Sequence, residues 1–298
     1  MKNSQSERGQ GTRGASVSRI PVVDPRWRSR LPSAPLVAGP PPLSLEARGV
    51  TDVGRRREHN EDSFLVDMES ALFVVADGMG GHAGGGTASS IAVKTIQESI
   101  RAARAAFPAS FESPSAADAS HFPSVLRLAV ESACRAIYGA AQADPTLAGM
   151  GTTVTAALVA GHTAFIAHVG DSRCYLLRGG RIFQLSEDHS LVNEQLKAGA
   201  ITEEEARQSR FRNIITRSVG FEEDVLVDVV GLEVEKGDAI VLCCDGLSNL
   251  VTDGEILDVA TKSGVAEAPE KLVALANERG GDDNITVIVV KVDGEKKG

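Results

Sequence analysis

Two short breaks, Ala160-Gly161-His162 and Arg178-Gly179-Gly180, each divide a pair of apolar runs: 153–160 from 163–169, and 173–177 from 182–185. Connections this tight join antiparallel strands, because parallel neighbours need a crossover of about a dozen residues or more. Further short runs at 63–66, 71–76, 239–243 and 285–292 also read as strands, most of them ended by Gly or Asp. Helical spacing appears at 87–106, with Ile91, Ile96 and Ile100 on one side, and at 124–142, with Val125, Leu128, Ala129, Ala133, Ala136 and Ile137. Two more helices are predicted at 253–262 and 268–278, and the Ala/Ser/Pro-rich stretch around 105–123 reads as a loop. Helix pairs beside antiparallel strands predict an α+β protein with layers of α on β.

The stretch VVADGMGGHAGGGTASS tests that expectation. Gly78, Gly80 and Ala83 fit the dinucleotide fingerprint G-x-G-x-x-G/A, and Gly80 to Thr87 falls one residue short of a P-loop, with Gly86 where the lysine belongs. A dinucleotide site requires parallel βαβ units and an acid at the next strand end about twenty residues on. Glu98 has the distance but lies within the predicted helix. The alternative is that Asp77, and not the glycines, carries the chemistry.

Charge and cysteine usage exclude several classes. A net charge of -9 argues against a general nucleic-acid binder, which needs a basic face to replace phosphate counterions. Cys134, Cys174, Cys243 and Cys244 show no C-x-x-C spacing, and two are adjacent, so neither a zinc site nor a disulfide framework is indicated. No apolar run approaches the roughly 18 to 20 residues of a membrane helix, and the N-terminus lacks a signal-peptide core; a cytoplasmic protein is expected. Seven of the twelve prolines precede Leu43, and residues 1–48 are expected to be a disordered Pro/Arg-rich tail. Its eight basic and three acidic residues give it +5 and leave -14 for the remainder.

The chemistry emerges when strand ends are compared. FVVADG places Asp77 after an apolar run, FIAHVGD places Asp171 there, and IVLCCDG places Asp245 there. Asp283 stands just before a strand in GGDDNITVIVV, and Glu61-Asp62 precedes the strand at Ser63. One acid alone reads as a turn former or helix cap. Five in the same setting point to a shared site, because carboxylates at the mouths of buried strands need cations or hydrogen-bond donors. Oxygen-only ligands without interleaved Cys or His select Mg²⁺ or Mn²⁺ over Zn²⁺. Two such ions can bind a phosphoryl oxygen and activate water, so metal-assisted phosphate hydrolysis is the expected reaction class.

TDVGRRREHNEDSF, VVADGMGGHAGG, MGTTVTAALV, AHVGDSRCYLLRGG, EDHSLVNEQLKAGAIT, NIITRSVG, LCCDGLSNLV and GGDDNITVIVV together resemble the ordered motifs of the PP2C-type (PPM) metal-dependent serine/threonine phosphatases in their bacterial form. The resemblance implies a four-layer α-β-β-α sandwich over residues 49–293, with a flap at about 187–220 beside the cleft. It implies two Mn²⁺ or Mg²⁺ ions held by Asp62, Asp77, the Gly78 carbonyl, Asp245 and Asp283, and a third, weaker ion at Asp171. Arg57 matches the arginine that grips substrate phosphate, which suits its planar fork of donors. Asn60, Glu61 and Asn284 match positions that support the ligands through hydrogen bonds.

By the same resemblance, water attacks a phosphoserine or phosphothreonine directly, without a phosphoenzyme. None of the four cysteines has an arginine six residues on, as tyrosine-phosphatase loops require. The substrates would be phosphorylated proteins, opposing Ser/Thr kinases, and the chain a monomer that binds neither nucleic acid nor membrane. Three positions stand apart. Gly86 replaces a glutamate common in the family, Met79 replaces the eukaryotic branch's proposed general acid, and His82 is expected to pack the loop. His189 is expected to act structurally at the flap hinge, since nothing around it in the sequence forms a triad.

Overall fold

The computed structural model describes residues 18–19, 43–80, 84–112 and 120–295. Its strands are β1 (Ser18–Arg19), β2 (Leu43–Asp52), β3 (Asp62–Asp67), β4 (Leu72–Met79), β5 (Gly151–Thr152), β6 (Val154–Ala160), β7 (Thr163–Val169), β8 (Arg173–Arg178), β9 (Arg181–Gln184), β10 (Asp228–Glu233), β11 (Ala239–Cys243) and β12 (Ile285–Glu295). The helices are α1 (Gly84–Ala106), α2 (Pro108–Glu112), α3 (Phe122–Ala143), α4 (Leu191–Lys197), α5 (Glu203–Gln208), α6 (Asp245–Ser248) and α7 (Asp253–Glu278). One sheet runs β1-β10-β7-β6-β4-β3, with β5 beside β4; the other runs β2-β12-β11-β8-β9. Every pairing is antiparallel.

The two sequence breaks are hairpins. Ala160 pairs with Thr163 and Arg178 with Arg181, which leaves two-residue turns. Gly179 and Gly180 both take positive φ (58° and 72°), the primed-turn geometry that matches strand twist and that a Cβ disfavours.

The layering follows from the two-residue period of the strands. On β4, Leu72, Val74 and Ala76 face one apolar cluster that includes Ala88, Ala92, Ile96 and Ile100 of α1 and Leu126, Val130 and Ile137 of α3. Phe73 and Val75 face the opposite way, into a cluster between the sheets with Leu176, Leu242, Ile288 and Val290. A third cluster joins Val241, Val287 and Val289 to Ile256, Leu272 and Ala276 of α7. Three apolar layers separate four layers of secondary structure, α-β-β-α.

The structure corrects three details. On α3 the buried stripe is Leu126, Ala129, Val130, Ala133, Cys134 and Ile137, while Leu128 is 39% exposed and Ala136 faces solvent. A stripe one residue earlier satisfies the same spacing, and packing against the sheet chose between them. The two helices expected at 253–262 and 268–278 are present, run together as α7 with non-helical backbone at Gly264 (φ 68°, ψ 175°) between them. β10 was not expected from the sequence.

The third concerns the boundary at 48. β2 begins at Leu43 and pairs along β12, from Leu43 with Glu295 to Asp52 with Ile285. Leu43, Leu45 and Ala47 alternate into the inter-sheet core, so 43–48 belong to the sandwich and not to the tail. Residues 1–17 and 20–42 of the expected tail, His82, and 113–119 of the expected loop lie outside the described residues.

Candidate metal centre

The register of two strands places the first pair of acids. β3 and β4 run antiparallel with Asp62 directly opposite Asp77, so both carboxylates stand at the same end of the first sheet. The turn after β7 brings Asp171 to that end, and the second sheet supplies Asp245 after β11 and Asp283 before β12. All five acids singled out in the sequence therefore converge where the two sheets open.

The cluster is electrostatically unbalanced. Asp62 is 8% exposed; its Oδ2 accepts a 2.5 Å hydrogen bond from Thr286 Oγ1, but its Oδ1 is buried without a partner. Burial foremost, with repulsion from Asp245 and Asp283, pushes its pKa up to about 7. Asp171 is 7% exposed with an unpartnered Oδ1, and burial followed by the charge of Asp245 pushes it up to about 8. Burial and then the charge of Asp62 hold Asp77 well above the carboxylate range; burial and then Asp283 raise Asp245. Carboxylates crowded in this way need positive charge to ionise together at neutral pH.

Oxygens aimed at one another without donors fit a hard divalent cation. Asp62, Asp77 and Cys244 present ligand atoms within 4.8 Å of one another, but the thiol does not suit this role. Burial raises the Cys244 pKa well above the ordinary value; Sγ donates to Asn284 O (3.3 Å) and accepts from Thr286 N–H (3.0 Å). Asp62, Asp77, Asp171, Asp245 and Asp283 are thus the side chains that could hold metal, with the Gly78 carbonyl beside them.

The glycines around Asp77 serve close approach of backbone. A Cβ on Gly78 would lie 2.2 Å from Gly85 O and 2.5 Å from Glu61 O, so the end of β4, the start of α1 and the loop before β3 are packed backbone to backbone. With every sheet pairing antiparallel, the dinucleotide reading falls. At Gly86 a Cβ would meet only Asn60 O and Glu61 Cα, both at 3.8 Å. Met79 pairs with Gly151 on β5.

The loop carrying Arg57 is held by Asn284. Its Oδ1 accepts from Glu61 N–H (2.8 Å), and its Nδ2 donates to Val53 O and His59 O (3.0 Å each). Asn60 Oδ1 accepts from Asp62 N–H at 3.1 Å. Arg57 stands at the rim, half exposed, with Nη2 donating to Asp283 Oδ2 at 2.7 Å.

Three threonines that the sequence reading did not single out fasten the ligands. Thr286 holds Asp62; Thr153 Oγ1 accepts from Asp77 N–H (3.0 Å); Thr152 Oγ1 donates to Asp77 O (2.9 Å). The available signal was hydroxyls within otherwise apolar strands, in GTTVTAA and NITVIVV. His189 is buried at the root of the flap, between Gly170 and Asp228. A groove of about 790 Å³ runs from Asp171 and Asp245 between the flap residues Val192, Leu196 and Arg212 and the turn at 248–254.

A sandwich of two antiparallel sheets whose shared mouth is lined by crowded aspartates, two of them with buried unpartnered oxygens, and with an arginine at its rim, defines the class of metal-dependent phosphate hydrolases. Comparison with known proteins narrows this. A protein phosphatase 2C family model matches residues 53–286. The chain is 37% identical over 258 residues to the serine/threonine phosphatase stp of Listeria welshimeri, covering 85% of this chain and 98% of that one. It is 36% identical over 263 residues to protein phosphatase PhpP of Streptococcus pneumoniae (84% and 99%). Among solved structures, the serine/threonine phosphatase PstP/Ppp of Mycobacterium tuberculosis superposes with a TM-score of 0.75 at 35% identity (84% and 99%). The catalytic domain of PstP in complex with two manganese ions superposes at 0.72 and 35% (84% and 98%). The chain belongs to the protein phosphatase 2C family.

Proposed function

We propose that the protein hydrolyses phosphoserine and phosphothreonine in proteins. In this reading Asp62, Asp77, Asp245, Asp283 and the Gly78 carbonyl hold two Mn²⁺ or Mg²⁺ ions, and Asp171 helps to hold a third, weaker one. The observation that carries it is the convergence of five carboxylates from both sheets, with buried Asp62 and Asp171 oxygens that no protein group satisfies. Bound there, the ions acidify water and neutralise the phosphoryl oxygens.

The chain's own residues do the rest. Arg57 presents its fork at the rim and donates to the phosphate oxygens, exchanging its hold on Asp283 for the substrate. Thr286 keeps the Asp62 carboxylate from rotating, Thr152 and Thr153 fix the Asp77 backbone, and Asn284 keeps the Arg57 loop in register. Direct attack by water agrees with the state of the thiols: all four cysteines are buried, and burial raises the pKa of each.

The substrates are taken to be the products of Ser/Thr kinases, and the protein to act as a cytoplasmic monomer. Among the described residues no helix is long and apolar enough to cross a membrane. Hydrolysis of a phosphothreonine peptide by the purified protein tests the reading. Turnover with Mn²⁺, its loss with chelator, and its loss in Asp245→Asn are expected. No turnover by folded, Mn²⁺-loaded protein would leave a phosphate-binding module instead.

A further inference from the structure

The loop that carries Asp171 is held on two sides: after the ligand, Ser172 Oγ bonds Thr153 Oγ1 (2.9 Å), which also holds Asp77; before it stands Gly170. Gly170 takes φ +112°, and a Cβ there would lie 2.6 Å from Thr153 side-chain atoms, so the turn is tight and its direction must be set by what grips its backbone. Much of that grip is the root of the flap. Gly170 O accepts from His189 N–H (2.7 Å) and from His168 Nε2–H (2.9 Å), while Gly170 N–H donates to His189 Nδ1 (3.0 Å). Both polar groups of the residue before Asp171 are therefore taken up by histidine.

His189 is in turn oriented from outside. Because Nδ1 accepts, the proton sits on Nε2, which donates to Asp228 Oδ2 at 3.1 Å; Asp228 Oδ1 accepts from Arg217 Nη1, also at 3.1 Å. His189 O accepts from Thr216 N–H (2.8 Å), and Ser190 bridges Ile215. The two ends of the flap, at 189–191 and 214–217, are thus closed on one another and attached to Gly170 through the backbone N–H and the imidazole of His189.

We propose that His189 is a positioning residue: through the Arg217–Asp228–His189–Gly170 chain it sets the orientation of Asp171, and so couples anchorage of the flap to loading of the metal site that Asp171 completes. The inference rests on the reading of Asp171 as a ligand of the third, weaker ion. Groups that orient ligands from behind typically change metal affinity by about 10- to 100-fold when removed. The two ions of the core, whose side-chain ligands stand on β3, β4 and the ends of β11 and β12, are outside the reach of this chain.

The test is calorimetric Mn²⁺ binding to metal-stripped full-length protein, in parallel with Asp171→Asn, so that the readout is occupancy and not turnover. The wild type is expected to show a tight class and a weak class, and Asp171→Asn to lose the weak one. His189→Ala should weaken that class about 10-fold or more and leave the tight class unchanged. His189→Asn, which keeps an acceptor close to the Gly170 N–H, should recover most of it. Asp228→Asn, at a half-exposed position that tolerates replacement, should give an intermediate loss and covers the case of His189→Ala failing to fold.

If Asp171→Asn abolishes the weak class while folded His189→Ala and Asp228→Asn bind it as wild type, the positioning role is overturned and the ligand reading stands. Loss of the tight class to the same degree as the weak one would equally overturn it, as general destabilisation. If Asp171→Asn changes nothing, the ligand reading and the positioning role fall together.

Discussion

Asp62 and Asp67 stand at opposite ends of one strand, and Asp245 and Asp238 flank another in the same way, yet the two ends of the sandwich treat their acids differently. Asp67 and Asp238 are 4% and 1% exposed, as deeply withdrawn as Asp62 and Asp171. Asp238 accepts from Nε and Nη2 of Arg178 and from Glu235 N–H; Asp67 accepts from Arg101, Gln97 and Ser70 N–H. At the open end Asp62 and Asp171 keep unpartnered oxygens; the charges near them are mainly other acids, and Arg173 beside Asp171 is taken up by Asp188. Burial of a carboxylate does not make a site; burial without protein cations does.

Breaking the open end should cost function before stability. Asp245→Asn is expected to lower peptide turnover by at least about 10²–10³-fold, as removal of a charge-stabilising group in an active site does, while thermal unfolding of the metal-free protein shows no loss of stability. Breaking the closed end should do the reverse. Asp238→Ala leaves Arg178 without its buried partner and should destabilise by about 3 kcal/mol in urea titration, with kcat unaltered in the folded protein. Equal effects on turnover from both variants would remove the distinction.

The two ends should also answer pH with opposite sign. Hydrogen bonds to Arg101 and Gln97 outweigh burial and lower the folded pKa of Asp67, so its contribution is present above the ordinary value of 3.8 and lost as pH falls through the folded value. Asp62 and Asp171 are raised to about 7 and about 8, so the folded metal-free protein holds more protons than the unfolded chain above pH 3.8. That stability is full below 3.8 and is lost as pH rises through 7 and 8. The melting temperature of chelator-treated protein should fall across this range, and Asp171→Asn should flatten the fall. A profile that rises toward pH 8 would contradict the electrostatics described for the open end.

The smallest effect concerns Gly86 in the first turn of α1. There is room for a Cβ, φ lies outside the left-handed region, and an acid at a helix N-terminus is favourable. Gly86→Glu should stabilise by about 0.5–1 kcal/mol in denaturant titration, through helix propensity and the helix dipole, and change turnover little. A large gain in turnover would instead assign this position a part in the site.

Much of this was legible from local sequence. Acids ending apolar runs and glycines at hairpin turns depend on residues a few positions apart, and both appear in the structure. β2 was not expected as a strand at all, because its start follows a proline run and its partner lies more than two hundred residues away in β12. Thr286 escaped for the same reason: its bond to Asp62 spans 224 positions.

By itself the sequence determined antiparallel pairing, which residues are apolar on which period, and that Asp62, Asp77, Asp171, Asp245 and Asp283 end or precede strands. Turn length, glycine φ and side-chain alternation are properties of neighbouring residues, and need no fold to be read. Only the tertiary structure decided that these five meet while Asp67 and Asp238 find arginines, that Cys244 is a neutral thiol wedged behind Asp62, and that His189 grips the turn before Asp171. Those outcomes depend on which strand ends are brought together across two sheets, and on which of them are left without a positive partner once water is gone.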